Sequence, residues 1–278
     1  MSAHPQPTTP QATGTPLEVT REGAIATLRF SRPEAMNAID VPMAQALLAA
    51  VQGLASDPGV RAVVLCGAGK AFMAGGDLAT LRADPVQGAA DLLGPLNAAV
   101  QTLASMNAPV IAKVHGAAAG AGLALMLQAD FVIAAEGTRF NLAYINLGTS
   151  CDVGASWALP RLVGLRHALE IALLGDTLTA SDALRLGLVN RVVDTVEDCH
   201  KLAAEWAARL AAGPAFAHAM TKQMIESEAT MGLADAIEAE AQAQALCMQH
   251  GDFAEAHAAF KAKRPPQFAG APTPEGGA

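Results

Sequence analysis

Two stretches of small residues could offer backbone N–H groups to a ligand. The first, KAFMAGGDL at residues 70–78, follows an apolar run at 62–66 (AVVLC) and a Gly67-Ala68-Gly69 turn signal. The second, KVHGAAAGAGL at 113–123, again runs from an apolar segment through small residues into an apolar helix start. A strand that ends in a glycine turn and feeds a helix leaves the first amides of that helix without intrahelical acceptors. Such amides can hold an anion, or an oxyanion that develops during a reaction. An ordinary βα turn or close helix–sheet packing uses the same residue types, so on these motifs alone both readings stand.

A titratable group lies further along, in TSCDVGASW at 149–157. Asp152 is suited to general acid–base work, and equally to capping a helix that starts at the following Gly-Ala-Ser. Tyr144 is the only tyrosine, a candidate either to bond substrate or to fill the pocket. Cys151 adjoins Asp152 but has no evident base to make it a nucleophile. His115, at the end of a strand, reads as a packed or hydrogen-bonded side chain in preference to an acid–base. Trp157 is expected to pack in the core.

These groups need a scaffold, and the pattern supplies one. Ala24, Ala26, Leu28 and Phe30 alternate at period two, which predicts a half-buried strand. Leu47, Leu48, Val51 and Leu54 form a helical stripe over 42–54. Short apolar runs at 62–66, 110–114 and 131–135 read as buried strands, and the alternation with helices predicts an α/β fold with parallel pairing. Thr179 followed by Asp182 marks a helix start. From about Arg166 the chain is mainly helical, with Ala/Leu/Met-rich periodic stretches at 196–212, 215–230 and 233–260. Residues 1–16 (MSAHPQPTTPQATGTP) and 271–278 are expected to be disordered tails.

The net charge of −8 argues against a general nucleic-acid binder. Four widely spaced cysteines make neither a CxxC pair nor a zinc pattern, as expected of reduced thiols in a cytoplasmic protein. No signal peptide is read at the N-terminus, and the apolar stretch 116–127 is too short to span a bilayer. A hydrophobic content of 52% predicts that some apolar surface is buried between subunits.

Taken together, the segments FSRPEAMNAID (30–40), GAGKAFMAGGDL (67–78), PVIAKVHGAAAGAGLALMLQAD (109–130), LPRLVG (159–164), TASDALRLGLVNRVV (179–193) and AFKAKRPPQF (259–268) resemble the crotonase (enoyl-CoA hydratase/isomerase) superfamily. The resemblance implies an α/β spiral of ββα turns over 17–210, with a helical trimerisation region over 211–270. It implies an acyl-CoA thioester substrate, an oxyanion hole from the N–H groups of Gly76 and Ala121, and assembly as a homotrimer or dimer of trimers. CoA would lie along Met36, Ala38, Ala74, Gly75, Asp77 and Leu78, with Phe260 and Lys263 reaching the CoA of a neighbouring subunit. No metal or separate cofactor is implied.

The family's hydratases use two glutamates, and at those positions this chain has Ala124 and Tyr144. Neither moves a proton readily at neutral pH. Asp152 resembles the catalytic Asp of three branches: 1,2-epoxyphenylacetyl-CoA isomerases, dienoyl-CoA isomerases and 4-chlorobenzoyl-CoA dehalogenases. The DxGxxWxLPRxxG pattern from Asp152 to Gly164, and KRPPQFAG at 263–270, fit the first best. The leading expectation is therefore an isomerase that shifts a double bond or opens a ring epoxide with Asp152 as acid–base. Hydration, thioester hydrolysis, dehalogenation and non-catalytic acyl-CoA binding are the alternatives.

Overall fold

The computed structural model describes residues 14–81, 84–227 and 231–268; the sequence expectations for 1–13 and 271–278 lie outside them. Strands β1 (Leu17–Glu22) and β2 (Ile25–Phe30) pair antiparallel, and β3 (Ala62–Gly67), β4 (Val110–Val114), β6 (Phe131–Ala135) and β9 (Arg191–Val193) continue that sheet in parallel. A smaller sheet joins β5 (Ala117–Ala119), β7 (Arg139–Asn141) and β8 (Leu178–Thr179). β5 follows β4 directly, and β7 follows β6. These two turns of the chain thus cross from the large sheet to the small one before their helices begin.

One core fills the space between the sheets and helices α1 (Val41–Ala55), α2 (Pro85–Ser105), α3 (Ala121–Met126), α4 (Ala155–Leu174) and α5 (Ala180–Leu186). A second core lies on the other face of the large sheet, where Ala62, Val64, Ile111 and Ile133 meet Cys199, Ala203 and Ala207 of α6 (Val196–Ala212). The continuous apolar runs of β3 and β4 follow from this, since both faces of those strands are covered. Thr179 and Asp182 close a reciprocal capping box at the start of α5.

One helical stretch is divided, and one expectation needs correcting. The stretch 233–260 is two helices, α8 (Leu233–Gln249) and α9 (Gly251–Lys261), separated at His250, whose ψ of 145° is extended. Trp157 does not pack in the core: it is 52% exposed on α4, with the Arg161 guanidinium 4.0 Å over its ring. The α4 span exposes Leu162 before a kink at Gly164 (φ 77°, ψ 160°) and Leu165, Leu169 and Leu173 after it, so it carries apolar residues on its outer side as well as toward the core.

Helix α7 (Ala215–Ser227) is tied to the sheet by one nearly buried ion pair, Lys222 Nζ to Asp130 Oδ2 at 2.8 Å. The same carboxylate oxygen accepts from Val110 N–H at 2.7 Å. Removing the cation leaves a partly buried carboxylate without its counter-charge, a loss of about 3–5 kcal/mol. Lys222→Met should therefore lower the urea midpoint strongly. Adding Asp130→Asn should restore part of the loss, because an amide oxygen can still accept from Val110.

Candidate active site

The two small-residue loops meet. Met73 and Ala118 form a parallel bridge, with Met73 N–H donating to Ala117 O at 3.0 Å and Ala119 N–H to Met73 O at 2.9 Å. A Cβ on Gly122 would stand 2.4 Å from Met73 O, and one on Gly75 3.2 Å from Ala119 O. Only hydrogen at these positions lets the loops approach so closely.

The first loop is also bound to the 36–39 segment. Ala74 N–H donates to Met36 O, Ile39 N–H to Gly75 O and Asp77 N–H to Ile39 O, at 2.8–3.0 Å. These bonds bracket Gly76 and turn its own N–H away from Ile39. Ala121 is the first residue of α3, so its N–H has no intrahelical acceptor. Among the described residues neither amide meets another acceptor. The chain therefore carries two backbone donors on loops locked to each other.

Two residues the sequence reading passed over hold this arrangement. Asn37 is fully buried at φ 58°, and its Nδ2 donates to Ala68 O and Ala71 O at 2.8 Å while Oδ1 accepts from Arg32 N–H. Arg32 reaches Asp40 at 3.1 Å and Asp77 at 3.0 Å. The signal was an Asn inside FSRPEAMNAID, a polar residue one position before a bridge-forming apolar pair. Asp77 thus binds Arg32 and also accepts from Ala79 N–H at 3.0 Å. His115 is buried with Nε2 2.9 Å from Gly69 O, which is the packed, hydrogen-bonded reading.

Asp152 does not cap α4. The cap residue is Gly154, without a side-chain bond, and the Asp152 carboxylate instead accepts from the Tyr144 hydroxyl. Burial pushes the Asp152 carboxyl above the usual carboxylate range, while the Tyr144 bond pulls it back in part. Burial, and then the Asp152 charge, push the Tyr144 phenol far above its ordinary value. Ala124, Leu142 and Val153 are buried in the same core as Tyr144. Gln128, just beyond α3, donates to Val153 O at 3.4 Å and so links the Asp152 turn to the helix that opens with Ala121.

Met36, Ala38, Ala74, Gly75, Asp77 and Leu78 lie on the bonded loops, Met36 and Leu78 with exposed side chains. Phe260 and Lys263 are elsewhere, at the end of α9. Phe260 is 83% exposed, and no hydrogen bond or ion pair among the described residues joins either side chain to those loops.

The profile of the enoyl-CoA hydratase/isomerase family matches residues 20–271. The chain belongs to the enoyl-CoA hydratase/isomerase family. Within that family it is 38% identical over 90% of its length to 1,2-epoxyphenylacetyl-CoA isomerase of Escherichia coli (strain K12), covering 96% of that protein. It is 33% identical over 89% of its length to 4-chlorobenzoyl coenzyme A dehalogenase-2 of an Arthrobacter species, covering 91% of it. The crystal structure of an enoyl-CoA hydratase from Bacillus anthracis superposes with a TM-score of 0.88 at 28% identity, over 92% of this chain and all of that one. The relatives of this enoyl-CoA hydratase/isomerase family member bear three reaction names, so membership fixes the scaffold and not the reaction. Among the described residues there is no group of His, Cys, Asp or Glu arranged to hold a metal ion, and no helix long and apolar enough to cross a membrane.

Proposed function

We propose that this chain binds an acyl-CoA thioester and moves a double bond through a thioester enolate, with Asp152 as the proton carrier. The observation that carries the reading is the partly buried Asp152 carboxyl, raised by burial and bonded to Tyr144, where the hydratase glutamate positions hold Ala124 and Tyr144. The thioester oxygen accepts from Gly76 and Ala121 N–H, and one such donor is worth roughly 3 kcal/mol of barrier. CoA lies along Met36, Ala38, Ala74, Gly75, Asp77 and Leu78. Asp152 removes an allylic proton and returns it at the other end of the dienolate. A carboxyl raised by burial is a stronger base once ionised, which suits it to this task. The name of the Escherichia coli relative adds ring-epoxide isomerisation as a second substrate class for the same acid–base.

A panel of 3-enoyl-, dienoyl-, ring-epoxide and crotonyl-CoA tests the proposal. Isomerisation of the 3-enoyl or epoxide substrate is expected, with crotonyl-CoA hydrated slowly or not at all. Fast hydration of crotonyl-CoA without isomerisation would overturn it.

The assembly belongs to the same proposal. Leu162, Leu165, Leu169 and Leu173 on α4, with Ile237, Leu246, Met248, Phe253 and Phe260 on α8 and α9, leave much apolar surface uncovered. Covering it between copies is favourable by roughly 25 cal/mol per Å². A homotrimer or dimer of trimers would do so and carry Phe260 and Lys263 toward a neighbour's CoA. Sedimentation should show a trimer or hexamer. Truncation before Ala215, which also removes Lys222, should give aggregates or an unstable monomer; a stable, active monomer would exclude this role.

A further inference from the structure

A carboxylate on a free turn changes rotamer and presents either oxygen. Asp152 is held from two sides. Its Oδ1 accepts from the Tyr144 hydroxyl. Its turn is locked in an unusual shape, with Val153 at φ 53° and Gly154 at φ 75°. A β-branched residue rarely adopts that conformation, and the surrounding structure must impose it. Gln128 lies against the turn: its Nε2 donates to Ala124 O and Val153 O, each at 3.4 Å, and a Cβ on Gly154 would stand 3.1 Å from that nitrogen. On the other side, Ala143 at φ 60° precedes Tyr144, and Thr149 N–H closes the loop onto Tyr144 O at 3.1 Å.

We infer that Tyr144 is a positioning residue that pins Oδ1 of Asp152, so that Oδ2 alone takes up and returns the substrate proton, while Gln128 fixes the turn relative to α3. This rests on the isomerase reading above. The C2–H bond of a 3-enoyl-CoA breaks, its proton goes to Oδ2, and the electron pair moves to the thioester oxygen. As the carbonyl re-forms, Oδ2 gives the proton to C4 and the carboxylate is restored. The phenol keeps its own proton throughout and does not touch the substrate. Cys151, the titratable group beside the pair, stays a thiol because burial and then the Asp152 charge push it up.

Because the chain has one tyrosine, protein labelled with ¹³C at tyrosine Cζ gives one signal. In the wild type that signal should move through a step whose midpoint coincides with the acid limb of kcat/KM for 3-enoyl-CoA. In Tyr144→Phe a bond that favours the ionised carboxylate is gone, so the limb should shift to higher pH. On its acid side kcat/KM should fall about tenfold or more. A merely structural role would lower the whole profile without moving the limb. A Cζ signal flat across the limb, or an unmoved limb in folded Tyr144→Phe, overturns the inference, and the wild-type measurement decides alone where the variant does not fold. Absence of isomerisation in the wild type removes the functional reading and this inference together; isomerisation with a flat Cζ signal removes only the role of Tyr144.

Discussion

Asp152→Asn is expected to slow isomerisation of a 3-enoyl-CoA by about 10²–10⁴-fold in kcat, the range a positioned acid–base contributes. KM should change little, because the two backbone donors and the segments proposed to bind CoA are untouched. The amide keeps an oxygen for the Tyr144 hydroxyl, so the loop should stay closed. Stability should move the other way. Burial raises the folded-state pKa of Asp152 above its unfolded value. The carboxyl then favours folding at pH values below its unfolded pKa, and that contribution is lost as pH rises through the folded pKa. Wherever it is ionised, the partly buried carboxylate carries a desolvation cost that the amide lacks. The variant should therefore unfold at an equal or higher urea concentration than the wild type at pH 7. Near wild-type turnover by Asp152→Asn would show that another group carries the proton.

Gly122→Ala should be nearly as damaging, for a geometric reason. The added methyl would stand 2.4 Å from Met73 O and 2.7 Å from Met73 Cβ. One clash is with backbone, so the two loops must separate. Separation breaks the Met73–Ala118 bridge and misaligns the Gly76 and Ala121 amides. Loss of one oxyanion donor costs about 10²–10³ in kcat. Free CoA binding along the 36–38 segment should survive better than turnover, and a titration of CoA against the kcat loss would show this. Equal losses in both would mean that the loops bind the substrate without serving the enolate.

The extent to which the sequence foretold this structure follows from the range of each interaction. The runs at 62–66 and 110–114 are buried on both faces, so composition alone marked them as strands. The Thr179–Asp182 cap spans three residues and is complete within its own segment. Trp157 failed because a helical period reports which residues can be buried and not which partner buries them. His250 is not a helix breaker by type, so the division between α8 and α9 was hidden. Asn37 serves acceptors more than thirty residues away. The Tyr144–Asp152 bond spans eight residues through a loop whose left-handed Ala143, Gly148 and Val153 no local pattern requires. The Gly76 and Ala121 donors were named through family resemblance; that their loops are bridged became visible only in the fold.

The loop between Tyr144 and Asp152 is fastened at both ends, yet residues 145–150 are all exposed. Lengthening it would add little closure entropy, about 0.6 kcal/mol for each doubling of a flexible loop, but would disturb the 3-10 turn Tyr144–Leu147 and the two bonds from Thr149 to Tyr144 O. Side-chain substitutions at the exposed Leu147 and Ser150 would instead leave Asp152, the proposed proton carrier, in place. In evolutionary terms, descendants of this chain could vary those side chains without rebuilding the proposed acid–base. Laboratory libraries confined to those side chains would sample altered function on the proposed proton path.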